Sequence, residues 1–156
     1  MSDRIAVINN GRLVQVDVPK ALYDQPKDLF VADFIGESVL LQLENSTNSL
    51  MLRGQPLKMT NPMPNGVDPY CLVIRPELLV MFNSKDDTVN DLSGIVSASV
   101  YQGESVLVMV DLGNDTKISV RLPANKSHNI NNIPEVGKQI NLGLHAEDVI
   151  IVAGKV

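Results

Sequence analysis

The sequence is poor in the residues on which most redox, metal and stacking sites depend. It contains one cysteine, two histidines, no tryptophan and only 4% aromatic residues. A single cysteine excludes an intrachain disulfide, and Cys71 lies in the apolar run Tyr70 to Ile74, where we expect a buried, inert thiol. His128 and His145 have no neighbouring cysteine or paired carboxylates at metal-ligand spacing, so we expect no zinc site.

Clustered basic charge and long apolar runs are also missing. The net charge is −5, and nucleic-acid affinity rests largely on clustered Lys and Arg, so we expect no nucleic-acid partner. No apolar run approaches the roughly 20 residues that a membrane span requires. The N-terminus lacks the apolar segment of a secretory signal, and the expected location is therefore the cytoplasm.

Known catalytic motifs are absent as well. The sequence has no Gly-x-Ser-x-Gly elbow and no phosphate-binding Gly-x-x-x-x-Gly-Lys-Ser/Thr loop. We interpret the acidic pair Asp86-Asp87 as a solvated turn. The chain is therefore expected not to be an enzyme and to have no catalytic, cofactor-binding or metal-binding residues.

The recognisable patterns begin with a β-hairpin. Ile5 to Ile8 is an unbroken apolar run, Asn10-Gly11 is a preferred two-residue hairpin turn, and Leu13 to Val16 resumes the apolar pattern. Strands that are apolar on both faces need cover on both faces. The residues that follow, however, predict only two short helices and then a series of short strands and loops.

Two short helices are predicted after the hairpin. Pro19 suits the first turn of a helix that ends near Gln25-Pro26. Asp28 is the expected N-cap of a second helix, and Gly36 is its expected C-terminal stop. Residues 1–36 thus form the first predicted segment.

From about residue 38, short strands alternate with Pro-, Gly- and Asn-rich loops. This spacing predicts a mainly β fold made of small, antiparallel, OB-like barrels behind the hairpin and helices. We expect residues 37–156 to form two lobes, about 37–85 and 92–156, with the polar loop 83–91 as the seam. The predicted strands are Val39 to Leu43, Leu50 to Leu52, Tyr70 to Ile74, Leu78 to Met81, Ile95 to Tyr101, Val106 to Leu112, Lys117 to Leu122, Gln139 to Leu144 and Val149 to Val152.

A short internal repeat supports two lobes. Residues 72–81 align without gaps with residues 142–151, 70 positions later, and each copy reads as strand, polar corner, strand. Glu77 and Glu147 fall at equivalent corners, where a carboxylate can accept backbone N–H bonds.

The first corner also carries the most informative charged pair, Arg75 and Glu77. One interpretation is a corner whose ion pairs lock one lobe to the next, and the other is anion recognition by Arg75. The stretch Tyr101 to Glu104 predicts a turn or bulge with Gly103 at its tip. The candidate interface and lobe-locking residues are Arg75, Glu77, Tyr101, Gly103, His145 and Glu147.

Taken in order, these segments resemble one family, the ATP-binding-cassette importer ATPases. Ser2 to Gln15 is similar to the segment that ends their nucleotide-binding domain. Pro19 to Tyr23, Pro26 and Phe30 to Gly36 resemble their helical bridge. Five further segments resemble their C-terminal TOBE region, a small barrel. They are Ile74 to Glu77, Gly94, Tyr101 to Glu104, Val120 to Pro123 and Gly143 to Val149. Val18 and Val39 depart from the family pattern, which often has Thr or Ser and Asn there.

The resemblance implies that this chain is the C-terminal regulatory and dimerisation region of the ATP-binding subunit of a polyamine, iron or sugar importer. It implies a homodimer and permease subunits that are contacted through the full-length ATPase. It also implies a cytoplasmic location that is peripheral to the inner membrane when the chain is part of the full transporter. A small regulatory ligand is a further possible partner. ATP and Mg²⁺ would be bound by the parent, because the family's catalytic motifs are not matched by any residues of this chain.

An alternative class is a stand-alone OB-like protein that binds a small oxyanion such as molybdate or tungstate. This alternative predicts that the chain binds a ligand and has no associated ATPase. An independent enzyme and a nucleic-acid-binding barrel rank below both hypotheses.

Overall fold

The structure is a computed structural model that describes residues 3–64, 69–84, 86–124 and 133–156. The mainly β class, with a β-hairpin and two short helices ahead of short strands, is confirmed. All of the strand pairs in the described residues are antiparallel. The helices are α1 (Pro19–Asp24) and α2 (Leu29–Phe34). The described strands are β1 (Ile5–Asn9), β2 (Arg12–Asp17), β3 (Val39–Gln42), β4 (Glu44–Ser46), β5 (Ser49–Leu52), β6 (Gln55–Pro56), β7 (Tyr70–Ile74), β8 (Val80–Met81), β9 (Val89–Asp91), β10 (Gly94–Tyr101), β11 (Ser105–Gly113), β12 (Thr116–Pro123), β13 (Gln139–Ile140), β14 (Leu142–His145) and β15 (Ile150–Ala153).

The N-terminal hairpin forms as predicted. Asn10 and Gly11 have φ angles of 51° and 75°, which is the left-handed pair that a two-residue hairpin turn requires. Val7 is buried against α1 and α2, whereas Ile8 and Leu13, which pair across the two strands, are 60% and 63% exposed. The helices therefore cover one face of the hairpin, and the described residues leave the other face open to solvent.

Each helix begins at the predicted residue. Pro19 opens α1, and the preceding Val18 makes no side-chain cap; instead, Asp17 Oδ1 accepts a hydrogen bond from the Val18 amide at 3.0 Å. Asp28 caps α2 by accepting from the Val31 amide at 2.9 Å. Gly36 follows the C-cap with a φ of 78°, as a helix stop does.

Contacts divide the chain into two compact units. The first contains residues up to 57, 61–74 and 149–156, and the second contains 58–60 and 75–148. In the first unit, β7 is the central strand between β15 and β3, and β4-β5-β6 form a small meander. In the second unit, β14 is the central strand between β8 and β9, and the longest strands form the sheet β12-β11-β10-β13.

The units do not follow the predicted lobes 37–85 and 92–156. The chain leaves the first unit after Ile74 and returns to it at Val149, because β15 pairs with β7 while β8 pairs with β14. The last part of the predicted loop 83–91 is also a strand, β9, since its residues bond along β14. Residues 124–134, whose Asn-rich composition predicts a loop, lie mostly outside the described part of the chain.

The core of the second unit lies on one face of its longest sheet. Alternate residues of β11 and β12 are buried, and they pair directly across the two strands. This period-two pattern is the one expected of a half-buried antiparallel sheet. The residues concerned are Val106, Val108, Val110, Ile118, Val120 and Leu122.

Candidate functional site

The two repeat copies fold as two equivalent corners. In the first, β7 leads through a 3-10 turn at Pro76–Leu78 into β8, and in the second, β14 leads through a 3-10 turn at Ala146–Asp148 into β15. The predicted order of strand, corner and strand is thus present in both copies. We call them the first corner and the second corner.

The strands that leave the corners are exchanged between the units in matching register. Leu72 of β7 pairs with Ile151 of β15, and Leu142 of β14 pairs with Met81 of β8. Each of these residues is 70 positions away from its counterpart in the other pair. The repeat is therefore a structural equivalence. The first copy supplies β8 as an edge strand beside β14, and the second copy supplies β15 as an edge strand beside β7.

Arg75 directly follows β7 and has no solvent-accessible surface. Its carbonyl accepts the hydrogen bond of the Leu78 amide at 3.0 Å, which closes the 3-10 turn. Glu77 lies inside this turn and is exposed. The burial of Arg75 fits a role inside the corner, and it leaves no surface at which the side chain could meet a dissolved anion or a second copy.

His145 and Glu147 occupy the positions of Arg75 and Glu77 in the second corner. His145 is half-buried and Glu147 is exposed. Within the described residues the Glu147 carboxylate accepts no backbone hydrogen bond, so the role expected for it is not met here. The corner is held through Ala146 instead, whose amide donates to the Thr88 carbonyl at 2.9 Å.

Sequence reasoning missed a buried amide beside the second corner. Asn90 of β9 is only 4% exposed and makes three hydrogen bonds. Its Oδ1 accepts from the Lys58 amide at 2.7 Å, and its Nδ2 donates to the Lys58 carbonyl at 2.8 Å and to the Leu144 carbonyl at 3.2 Å. The Asn90 side chain thereby connects Lys58 to β9 and β14 within the second unit. The sequence signal was an Asn between Val89 and Leu92, two apolar residues that are buried.

Two carboxyl groups near the second corner have pKa values shifted in opposite directions. Hydrogen bonds from the amide and hydroxyl of Thr88 lower the pKa of Asp86, and the positive charges of His145 and Lys58 add to this effect. Burial raises the pKa of Asp148, with a further rise from the nearby charge of Glu147. The ionised form of Asp86 is therefore favoured, whereas the ionised form of Asp148 is disfavoured.

The remaining two candidates lie at the tip of the β10–β11 hairpin. Tyr101 is 62% exposed, and Gly103 has a φ of 79° in the turn that the Gln102 amide closes by donating to the Ser105 carbonyl. The turn prediction at Gly103 is confirmed. The six candidates thus lie in three places, namely the two corners and this turn.

Two kinds of feature are absent from the described part of the chain. It contains no group of three or more His, Cys, Asp or Glu side chains arranged to hold a metal ion. It also contains no helix whose length and apolarity would suffice to cross a bilayer. His128 lies outside the described residues.

Comparison with known proteins assigns the family. The TOBE domain family model matches residues 72–152, from the start of the first repeat copy into β15. This is more than half of the sequence, and the chain belongs to the TOBE domain family. The resemblance noted in the sequence is confirmed for this region.

The curated relatives carry the name spermidine/putrescine import ATP-binding protein PotA. The protein of Pseudomonas fluorescens is 34% identical over 128 residues, which are 78% of this chain and 35% of that protein. The protein of Borrelia garinii subsp. bavariensis is 29% identical over 155 residues, which are 97% of this chain and 41% of that protein. The protein of Mycoplasmopsis synoviae is 31% identical over 134 residues, which are 80% of this chain and 28% of that protein. The chain therefore spans about a third of the length of the relatives it matches.

One solved structure with a partial likeness is the cytoplasmic molybdate-binding protein ModG with molybdate bound. The TM-score is 0.48 at 14% sequence identity, covering 55% of this chain and 62% of that chain. A likeness at this level carries no argument about a ligand.

Proposed function

We propose that this chain acts as the C-terminal regulatory region of the ATP-binding subunit of a polyamine importer. The observation that carries the proposal is the match to the Borrelia garinii ATP-binding protein, which extends over 97% of the chain. It includes the hairpin and helices as well as the TOBE match, so both parts of the chain relate to one kind of protein.

The open face of the hairpin supports a neighbour of the ATP-binding type. Ile8 and Leu13 expose most of their side chains on that face, and Phe34 of α2 is 65% exposed. Large apolar side chains grouped on one element are typical of surfaces that another domain covers. In the proposed subunit, the nucleotide-binding domain supplies this cover and also binds ATP, Mg²⁺ and the permease subunits on the inner face of the membrane.

A chimera tests the proposal. The matched 41% of the Borrelia garinii protein is replaced by this chain, and spermidine uptake is measured in cells that lack their own polyamine ATPase. We expect uptake above that of the same protein truncated at the junction. A chimera that binds Mg²⁺–ATP, and is therefore folded, but gives no more uptake than the truncated protein would overturn the proposal.

A matched pair of substitutions locates the covered face. Leu13→Asp places a charge on the open face of the hairpin, whereas Val136→Asp places one at an equally exposed position of the second unit. Both side chains are solvent-exposed in this chain, so both substitutions are tolerated by the chain alone. In the chimera, we expect Leu13→Asp to abolish uptake and Val136→Asp to leave it within about twofold, because only the former would bury a charge.

The chain by itself is proposed to be neither an ATPase nor a cofactor protein. Its sequence lacks the phosphate-binding loop on which that chemistry depends. Addition of Mg²⁺–ATP should leave its melting temperature unchanged, and ATP hydrolysis that depends on Mg²⁺ and co-purifies with the chain would contradict this.

Homodimerisation stays part of the proposal. The exposed apolar side chains Val100, Tyr101 and Met109 of the β10–β11 hairpin offer surface for a second copy. Arg75 does not, because it is buried within the single chain. A stable interface buries on the order of 1,200–2,000 Å². Sedimentation at micromolar concentration should give a species of twice the 17.0 kDa chain mass, and a concentration-independent monomer would exclude the dimer.

A further inference from the structure

Helix α2 lies between two separate apolar clusters of the first unit. Val31 is fully buried with Val7 of the hairpin and Leu22 of α1. The next residue, Ala32, is fully buried in the other cluster, which includes Cys71 of the central strand β7. One turn of helix thus joins the hairpin to the β15-β7-β3 sheet, and any movement of α2 disturbs both clusters.

The segment that follows β15 is fastened across this sheet. Gln42 Oε1 accepts a hydrogen bond from the Val156 amide at 3.0 Å, and Gln42 Nε2 donates to the Gly154 carbonyl at 3.4 Å. The thiol of Cys71 donates to the same carbonyl at 3.2 Å. Burial raises the pKa of this thiol, which keeps it in the protonated form that can donate. We call the segment 154–156 the strap.

The strap presses against α2 at its first residue. A Cβ added to Gly154 would lie 2.5 Å from Leu29 Cδ1 and 2.9 Å from Leu29 Cγ, and the φ of Gly154 is 141°. The Gly154 amide donates to the Pro69 carbonyl at 2.8 Å, so the backbone is fixed at this point. Only glycine combines this φ with so close an approach of the side chain of Leu29.

We propose that the strap fastens α2 to the β15-β7-β3 sheet and thereby couples that sheet to the N-terminal hairpin. Gln42 lies at the end of β3 and bonds to Gly154 and Val156 of the strap, and Gly154 in turn lies against Leu29 of α2, so the effect of Gln42 on α2 would pass through Gly154 and Leu29. The mechanical inference stands on the contacts of the first unit. Its regulatory meaning rests on the proposed function, in which the hairpin abuts the nucleotide-binding domain and the strap relays the state of the TOBE region to it.

Amide hydrogen exchange on the intact chain tests the coupling. The reporters are the amides of Ala32 in α2 and of Ile35 at its C-cap, which donate to the Asp28 and Val31 carbonyls at 3.0 Å. Gln42→Leu removes both hydrogen bonds to the strap, together with the bond from Gln42 Nε2 to the Tyr70 carbonyl at 2.8 Å, and leaves the sequence of α2 unchanged. We expect the α2 amides to exchange at least tenfold faster in this variant, with a smaller rise in β1.

Two further variants keep the outcome decisive. Gly154→Ala drives a methyl group into Leu29 and should also accelerate α2 exchange. Gly113→Ala is the matched control, because Gly113 has a φ of 88° but nothing within 4 Å of an added Cβ, so α2 exchange should stay within twofold of the parent. Gln42 is exposed, and if Gln42→Leu fails to fold, Gln42→Glu removes the donor to the Gly154 carbonyl but keeps the acceptor of the Val156 amide, so α2 exchange should accelerate by less than in Gln42→Leu.

Faster exchange of residues 154–156 with unchanged exchange in α2 would overturn the coupling, because the strap would then be free without consequence. The exchange measurement requires neither ATP nor a transporter. Failure of the chimera to support uptake would therefore count against the proposed function alone, and failure of the exchange test against the strap alone.

Discussion

At Gly94, the first residue of β10, an added methyl group would collide with the backbone of the neighbouring strand β11. Its Cβ would lie 2.3 Å from the Asp111 carbonyl oxygen and 2.8 Å from Val110 Cγ1. The obstacle is largely the backbone of β11, which a rotamer change cannot move. Gly94→Ala must therefore push β10 and β11 apart by about 1 Å to restore ordinary contact distances.

The loss of folding stability can be worked out from the strand pairs that β10 makes at this point. Gly94 pairs with Ile140, and Ile95 pairs with Asp111. Overpacking costs about 1–3 kcal/mol, and the loss of two ladder hydrogen bonds adds about 1 kcal/mol each. Alanine restricts the unfolded chain and returns about 0.5–1 kcal/mol. We expect the free energy of unfolding to fall by about 2–4 kcal/mol.

Urea denaturation monitored by circular dichroism measures this loss. With a slope of about 2 kcal/mol per molar, the midpoint should fall by about 1–2 M. Gly113→Ala is the control, because its strain is limited to a left-handed backbone and costs about 1 kcal/mol. A Gly94→Ala midpoint no lower than that of Gly113→Ala would refute the steric argument.

Three other substitutions have defined outcomes in the same assay. Asp28→Ala removes the cap of α2 and should cost about 1 kcal/mol, while Asp28→Asn should restore most of it. Asn90→Leu leaves three backbone groups of the second unit without their partner and should cost about 2–4 kcal/mol; a loss below that of Asp28→Ala would contradict the role given to Asn90. Asp148 has a raised pKa, so the folded state holds the proton more tightly and stability falls as the pH rises from the unfolded value through the raised folded value. Asp148→Asn should remove that fall and raise stability at pH 7 by up to about 0.5 kcal/mol, and an unchanged pH profile between pH 3.5 and 7 would contradict this.

The elements that the sequence predicted well are those with a local physical cause. Asn10-Gly11 accepts the positive φ angles of the hairpin turn, and Asp28 carries its own capping carboxylate. The strand Tyr70–Ile74 has the predicted bounds, since five buried apolar residues between a proline and a charged corner allow little else. Each of these signals lies within a few residues of the structure it determines.

The features that escaped prediction depend on partners far away in the chain. Val89–Asp91 is polar enough to resemble a loop, and it becomes a strand only because β14 offers it a ladder. The repeat indicated that β8 and β15 occupy equivalent positions, but it could not indicate whether each strand pairs with the central strand of its own copy or with that of the other copy. Asn90 was missed for the same reason, because its partners Lys58 and Leu144 lie 32 and 54 residues away.

The exchange of β8 and β15 sets a schedule for folding during synthesis. The second unit needs β8, which leaves the ribosome before every other strand of that unit does. The first unit has its central strand β7 by residue 74, yet one edge of β7 stays unpaired until Ile150–Ala153 has been made. During that interval the edge of β7 is a template for any other β15 in reach. On crowded polysomes, neighbouring nascent chains would compete for it, and a chain that pairs with the wrong β15 becomes half of a strand-swapped pair.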